Sequence, residues 1–313
     1  MTIVTPKILL GIGAVAAIPA LFVAQQTPDA APRRITEQPG AVAVASRRAT
    51  PQLSREQQEV FLRTARIEKM WQLTEGATEL TAGSTRSWRA TLSNGQLRHD
   101  AHLQFIDIYR PVFRGRNGTV EKNFRDTWKF NVAAYRLDRL LGLNMIPVSV
   151  EREIEGRIGS VTWWIDDVMM DEAKRRDTKT KPPATQEWVD QLNKVRVFDQ
   201  LIYNTDRNQG NLLITHDWKL WIIDHTRAFR TQHTLLKPDA LTRCDQGLLD
   251  AMRKLNQATL MREIGPWVRP EEITALLARR DVIVRFFNSE VQTKGADAVL
   301  TGVPRKTPEV SVP

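Results

Sequence analysis

The order of apolar and polar positions divides the chain into a strand-rich half and a helical half. Ser54-Arg-Glu-Gln57 has the form of a capping box, and Val60, Phe61, Ala65, Ile67 and Trp71 follow at helical spacing, so a helix is expected through Trp71. From Leu80 the period shortens to two. Residues 86–92 and 97–108 alternate on either side of Ser93-Asn-Gly95, which is a hairpin signal. Residues 121–141 return to helical spacing through Trp128, Val132, Tyr135 and Leu140, with Gly142 as the stop and Pro147 just beyond. Residues 146–150 and 158–165 read as strands around Glu155-Gly-Arg157. The charged, Pro-containing stretch 171–185 reads as a loop, and 186–203 as an amphipathic helix. Two short apolar strands, 212–215 and 220–223, flank His216-Asp-Trp218. Residues 248–260 and 270–287 read as helices, and 293–313 as a disordered tail. Strands first and helices afterwards predict an α+β fold in two lobes.

The N-terminus follows a different pattern. Lys7 precedes residues 8–24, an uncharged apolar run, which predicts a signal peptide or membrane anchor and hence an exported or membrane-anchored protein. Residues 25–53, rich in Pro, Ala, Arg and Thr, read as a tether. The expected domains are therefore 1–24 leader or anchor, 25–53 linker, 54–168 N-terminal helix and small lobe, 169–292 large lobe, and 293–313 tail. Lys7 on one side and Arg33 and Arg34 on the other do not decide orientation in a membrane.

Charge and cysteine content narrow the chemistry. A net charge of +9 suits anionic partners, namely nucleotides, anionic lipid or acidic protein. No Lys/Arg run marks a nucleic-acid tail, so no nucleic-acid partner is expected. Cys244 is the only cysteine, which excludes an intrachain disulfide and a cysteine-based zinc site. His216, His225 and His233 match no usual zinc-ligand spacing.

The densest chemistry is Asp206-Arg-Asn-Gln-Gly-Asn211, after a helix and before a strand, followed by Asp224 at the end of the next short hairpin. Phosphoryl transfer from ATP needs a carboxylate for the acceptor and oxygen ligands for a divalent cation. Asp206 fits the first task and Asn211 and Asp224 the second. Arg207 stands beside them to neutralise charge, and Gly210 permits a tight turn. Each residue alone is ordinary loop chemistry; the spacing of the set carries the expectation.

YNTDRNQGNLLI followed by WIIDHTRAF resembles the catalytic and metal loops of atypical kinases. The resemblance is to the phosphatidylinositol 3-/4-kinase-like group, the HipA-type kinases and the secretory-pathway Golgi casein kinase group. It is specific over residues 195–229 and looser over 83–150. It implies a two-lobed protein-kinase-like fold that uses ATP with Mg²⁺ or Mn²⁺. Asp206 and Arg207 would be catalytic, and Asn211 and Asp224 metal ligands. The nucleotide would be met by Gly83, Ser84 and Thr85 as a short cover, by Gln104 and Asn131, and by the crossover 164–170, with Asp167 and Met169 within it, along adenine. His225, Arg227 and Arg230 would face an anionic acceptor.

Two positions depart from that pattern. The strand Lys that meets the phosphates aligns with Gln104, and the helix Glu that pairs with it aligns with Asn131. An amide pair carries no charge to offer phosphate. Lys129, Arg110, Arg114 and Lys122 are the alternative cations. The readings left open are a phosphotransferase, a nucleotide-binding pseudokinase or scaffold tethered at a membrane, a kinase fold that transfers an adenylyl group, and a basic surface-binding protein.

Overall fold

The structure, a computed structural model, describes residues 53–73, 87–115, 118 and 120–302. The apolar segment 8–24, the tether up to residue 52, the cover residues Gly83, Ser84 and Thr85, and residues 303–313 lie outside the described residues. Among the described residues no helix is long and apolar enough to cross a membrane.

Helix α1 (Arg55–Thr64) starts at the expected capping box. The Gln57 amide donates to Ser54 Oγ, and the Ser54 amide donates to Gln57 Oε1 at 2.8 Å. It ends at Thr64, about two turns before the expected end at Trp71. Ala65 is extended, and β1 (Arg66–Gln72) pairs with β2 (Trp88–Ser93). Ile67 and Trp71 therefore belong to a strand. Their spacing suits either period, and the partner strand decides it.

Strand β3 (Arg98–Gln104) pairs with β2 in the predicted hairpin. The strand expected to reach residue 108 stops at Gln104. Beyond it, β4 (Asp107–Arg114) and β5 (Val120–Thr127) form a separate two-stranded ribbon. This also corrects the helix expected over 121–141: only α2 (Lys129–Leu141) is helical, ending at left-handed Gly142. In 121–127 cross-strand bonds to β4 override the apolar spacing.

Strands β6 (Ser149–Ile154) and β7 (Arg157–Trp163) complete a five-stranded antiparallel sheet in the order β1-β2-β3-β7-β6. α1 and α2 pack on it, burying Phe61, Leu62, Ala133, Leu137, Val150 and Val161 together. A short crossover leads to the second lobe, turning at Asp167, whose φ is +60°.

The second lobe opens with β8 (Val168–Asp171), at the end of the expected crossover, and α3 (Glu172–Asp177), where a loop was expected. Asp171 caps α3 by accepting from the Lys174 amide, and buried Glu172 accepts from Arg175 and Arg176. The long helix α4 (Thr185–Ile202) follows as predicted. β9 (Leu212–Thr215) and β10 (Leu220–Ile222) join β8 in a three-stranded sheet, β10-β9-β8. Next, β11 (Cys244–Asp245) leads into α5 (Gln246–Lys254) and α6 (Gln257–Glu263). These split the single helix expected over 248–260, because Asn256 starts a new helix by capping the Thr259 amide.

The last long helix, α7 (Pro270–Lys294), runs past its predicted end. After it come α8 (Ala296–Val299) and β12 (Leu300–Thr301), which pairs with β11. The start of the expected tail is thus folded, with Val299 and Leu300 buried against the helical core.

Candidate functional site

Helix α4 delivers the site loop. It ends at Tyr203, whose φ is +52°, and the Asn204 amide bonds back to the Asp199 carbonyl. The Asn204 side-chain oxygen accepts from the Asp206 amide at 3.0 Å, which sets the direction of Asp206. A single 3₁₀ turn over Gln209–Asn211, capped by the Asn208 side chain, then aims Asn211 at the cleft. Strands β9 and β10 return the chain so that the Ile223 amide donates to the Asn211 carbonyl at 3.1 Å. Asn211 and Asp224 are brought together this way, thirteen residues apart in sequence.

Asp224 has φ +54°, a left-handed conformation that a non-glycine residue adopts only when its surroundings hold it there. The Thr226 amide and hydroxyl both donate to its Oδ1. The next residue is fixed as well: the His225 amide donates to Asn131 Oδ1 at 2.9 Å. Asn131 Nδ2 in turn donates to Gln104 Oε1 at 2.7 Å. The two positions aligned with the missing Lys and Glu therefore do meet, as an uncharged amide pair joining β3, α2 and the backbone after Asp224.

Between the lobes lies a cavity of about 370 Å³. Gln104, Asn131, Asn211, Asp224 and His225 line one part of it; Ile146, Trp163, Trp164, Val168, Leu213 and Ile222 give it apolar walls. His102 also lines it, two residues before Gln104 on the same face of β3, as strand alternation requires. Burial lowers the His102 pKa, and the Asp224 charge opposes that shift. His102 carries no motif signal; the period of two is the only sequence feature that could have singled it out.

Five of the expected site residues are placed differently. Arg207 is not free to act on a reacting group. Its guanidinium donates to both carboxylate oxygens of buried Asp199 and to the carbonyls of Ile223 and Asn211. It holds the backbone on which Asn211 and Asp224 sit. His225 and Arg230 do not face solvent, being 1% and 4% exposed. His225 lies under Asn131, edge-on to Phe198, and burial, aided by the Arg207 charge, keeps its pKa well below the usual imidazole range. Arg230 donates to the Arg125 carbonyl and pairs with Glu121, which ties the β4–β5 ribbon to the lobe below. Met169 does not line the cavity; it packs on the core while Val168, its neighbour on β8, faces in. Asp167 turns the chain at the crossover and is exposed.

Arg227 is half-buried at the edge of the site. It donates to Asp126 of β5 at 2.7 Å and lies 3.4 Å from Asp206. Asp206 is pushed above the usual carboxylate range by partial burial, with Arg227 opposing and the Asp224 and Asp126 charges adding to the rise. A carboxylate held ready to accept a proton and half open to solvent is what an acceptor-side base requires.

The donor set fits a hard divalent cation. Asp224 offers a carboxylate in the cavity. The Asn211 side chain is uncommitted at Nδ2, which is buried without a partner, and amide nitrogen and oxygen exchange places by a simple flip. Oxygen donors of this kind suit Mg²⁺ or Mn²⁺.

No protein-family model matches the chain, and no curated protein matches it. Solved structures do. The hydra Fam20 with sugar matches at TM-score 0.59 and 15% identity, over 79% of this chain and 91% of that one. The Golgi casein kinase matches at TM-score 0.56 and 14% identity, over 79% and 77%. The Golgi casein kinase with Mn/ADP bound matches at 0.55 and 14%, over 82% and 80%. Of the three groups that the motifs resemble, the secretory-pathway one is represented here. The likeness is one of fold: the chain has the two-lobed, α+β kinase-like fold of these proteins.

Proposed function

We propose that the chain is an atypical-kinase phosphotransferase that uses ATP with Mg²⁺ or Mn²⁺. The observation that carries the reading is the convergence of Asn211 and Asp224 on one wall of the interlobe cavity, with Asp206 close enough to feel the Asp224 charge. Asn211 and Asp224 would hold the cation, which when bound neutralises phosphate charge and orients the chain of phosphates. The apolar walls by the crossover would take the base. Asp206 accepts the proton of an acceptor hydroxyl, whose oxygen takes the γ-phosphoryl group as ADP leaves. Arg227 keeps Asp206 in place from the acceptor side.

The uncharged Gln104–Asn131 pair favours a second reading, a nucleotide-binding module that transfers nothing. The apolar segment 8–24 supports export or membrane anchoring under either reading. Titrating ATP into the protein with Mg²⁺ or Mn²⁺, together with an assay for labelled phosphate transfer, separates the two. Metal-dependent binding with transfer that Asp206→Asn abolishes supports the enzyme. Binding without transfer supports the module, and no binding under any condition rejects both.

A further inference from the structure

The four cations that the sequence offers in place of the family's Lys do not line the cavity. Lys129 pairs with Asp107 at 2.6 Å. The other three, Arg110, Arg114 and Lys122, stand exposed on the β4–β5 ribbon. The carboxylates of the two strands are all committed to other cations: Asp107 to Lys129, Glu121 to Arg230 and Asp126 to Arg227. The ribbon therefore spends its acids on holding itself to the protein and leaves three cations uncompensated.

The strand register sorts the outer half of the ribbon into two faces. Phe113 lies opposite Glu121, whereas Val112 lies opposite Lys122 and Arg114 opposite Val120. Side chains alternate along a strand, so the first pair and the other two point to opposite sides. Phe113 stacks on buried Phe124 at 4.2 Å, and Glu121 reaches Arg230 at 2.7 Å, so their side is the inner one. Val112, Arg114, Val120 and Lys122 form the outer side, with exposed Arg110 beside them. The two valines are 50% and 53% exposed. A single exposed valine is ordinary. Two on neighbouring strands, set among three uncompensated cations, match a surface that is anionic at its headgroups and apolar just beneath. An acidic protein would use the charges and leave the valines without a role.

We propose that this outer face of the ribbon docks on an anionic lipid bilayer. The valines enter the interface, and Arg110, Arg114 and Lys122 meet headgroup phosphate and carboxylate. The buried Arg125–Glu272 pair fastens the ribbon, which therefore meets the bilayer as a preformed element. The inference stands apart from phosphoryl transfer, and its failure leaves that reading untouched.

The test uses the full chain carrying Val112→Cys, labelled with nitrobenzoxadiazole; Cys244 is buried and stays unlabelled. The label is read on vesicles of phosphatidylcholine alone and on vesicles that also contain phosphatidylserine. A signal at Val112 reports this face, whatever residues 8–24 do. A blue shift is expected with phosphatidylserine only, and none from a label on Lys179→Cys in the other lobe. Each cation near an anionic surface contributes about fivefold, so Arg110→Gln/Arg114→Gln/Lys122→Gln should weaken docking by about 100-fold and abolish the shift. The matched loss of three exposed cations in Lys174→Gln/Lys179→Gln/Lys181→Gln should leave it. Val120→Cys is the second label position should the first variant not fold. No shift with phosphatidylserine, an equal shift on both vesicles, or a shift that survives the ribbon substitutions overturns the proposal. Binding of soluble polyglutamate that those substitutions remove, with no shift on phosphatidylserine, overturns it in favour of an acidic protein.

Discussion

Arg207 and Asp199 face each other with the guanidinium Nε 3.0 Å from one carboxylate oxygen and 3.3 Å from the other, both side chains nearly buried. The pair joins the end of α4 to the carbonyls of Asn211 and Ile223, so it acts on the site through the backbone. Removing one member leaves an uncompensated buried charge. Arg207→Ala should cost about 3–5 kcal/mol of stability. Arg207→Lys should keep part of the fold but weaken metal-dependent nucleotide binding, because a point charge cannot serve three acceptors in one plane. Thermal unfolding and ADP titration on the same preparations check both.

The two residues proposed to hold the cation should separate from the proposed acceptor-side base. Asp224→Ala and Asn211→Ala should each remove metal-dependent nucleotide binding. Asp206→Asn should keep that binding and lower turnover by about 10²–10⁴-fold. Calorimetry alongside a phosphate-transfer assay reads the split.

Asp206 also predicts a pH effect on stability. Its folded pKa is raised, so the folded state holds the proton more tightly than the unfolded chain. As pH rises, the unfolded chain loses the proton first, and stability falls from about pH 3.9 through the folded value and stays lower above it. Asp206→Asn removes this loss. The variant should melt higher than the wild type at pH 7, and the gain should vanish below about pH 4. Melting curves from pH 3 to pH 8 test the sign.

The ribbon is fastened by a buried ion pair. Arg125 Nη1 lies 2.6 Å from one Glu272 oxygen and 2.7 Å from the other. Glu272→Ala should destabilise by about 3–5 kcal/mol, and replacing both partners with apolar residues of similar size should cost far less. A double-mutant cycle in urea measures the coupling.

Cys244 should be silent in the native protein. Burial and the Asp245 charge push its thiol up to about 12, and it sits in β11 against β12. A thiol-directed reagent at pH 8 should label it only as fast as that strand pair opens. Truncation before Leu300 should speed labelling without altering nucleotide binding.

Much of the candidate site was legible in one dimension. Asp206, Asn211 and Asp224 fall on turn-rich stretches beside short apolar strands, and their chemistry depends on residue type and spacing along a continuous chain. The helix α4, the β2–β3 hairpin and the α+β order are local as well, set by period and turn residues. What the sequence could not settle is which partner each ambiguous segment meets. Residues 66–72 and 121–127 fit a helical period until β2 and β4 supply the cross-strand bonds. Burial is likewise a property of the assembled lobes. His225, Arg230 and Arg207 look like exposed basic groups on a loop, yet the ribbon, α2 and Asp199 enclose or neutralise them. His102 and the amide pair of Gln104 with Asn131 become parts of one cavity only when β3 and α2 pack, since contacts over 27 residues of separation are made by tertiary packing and leave no local signal.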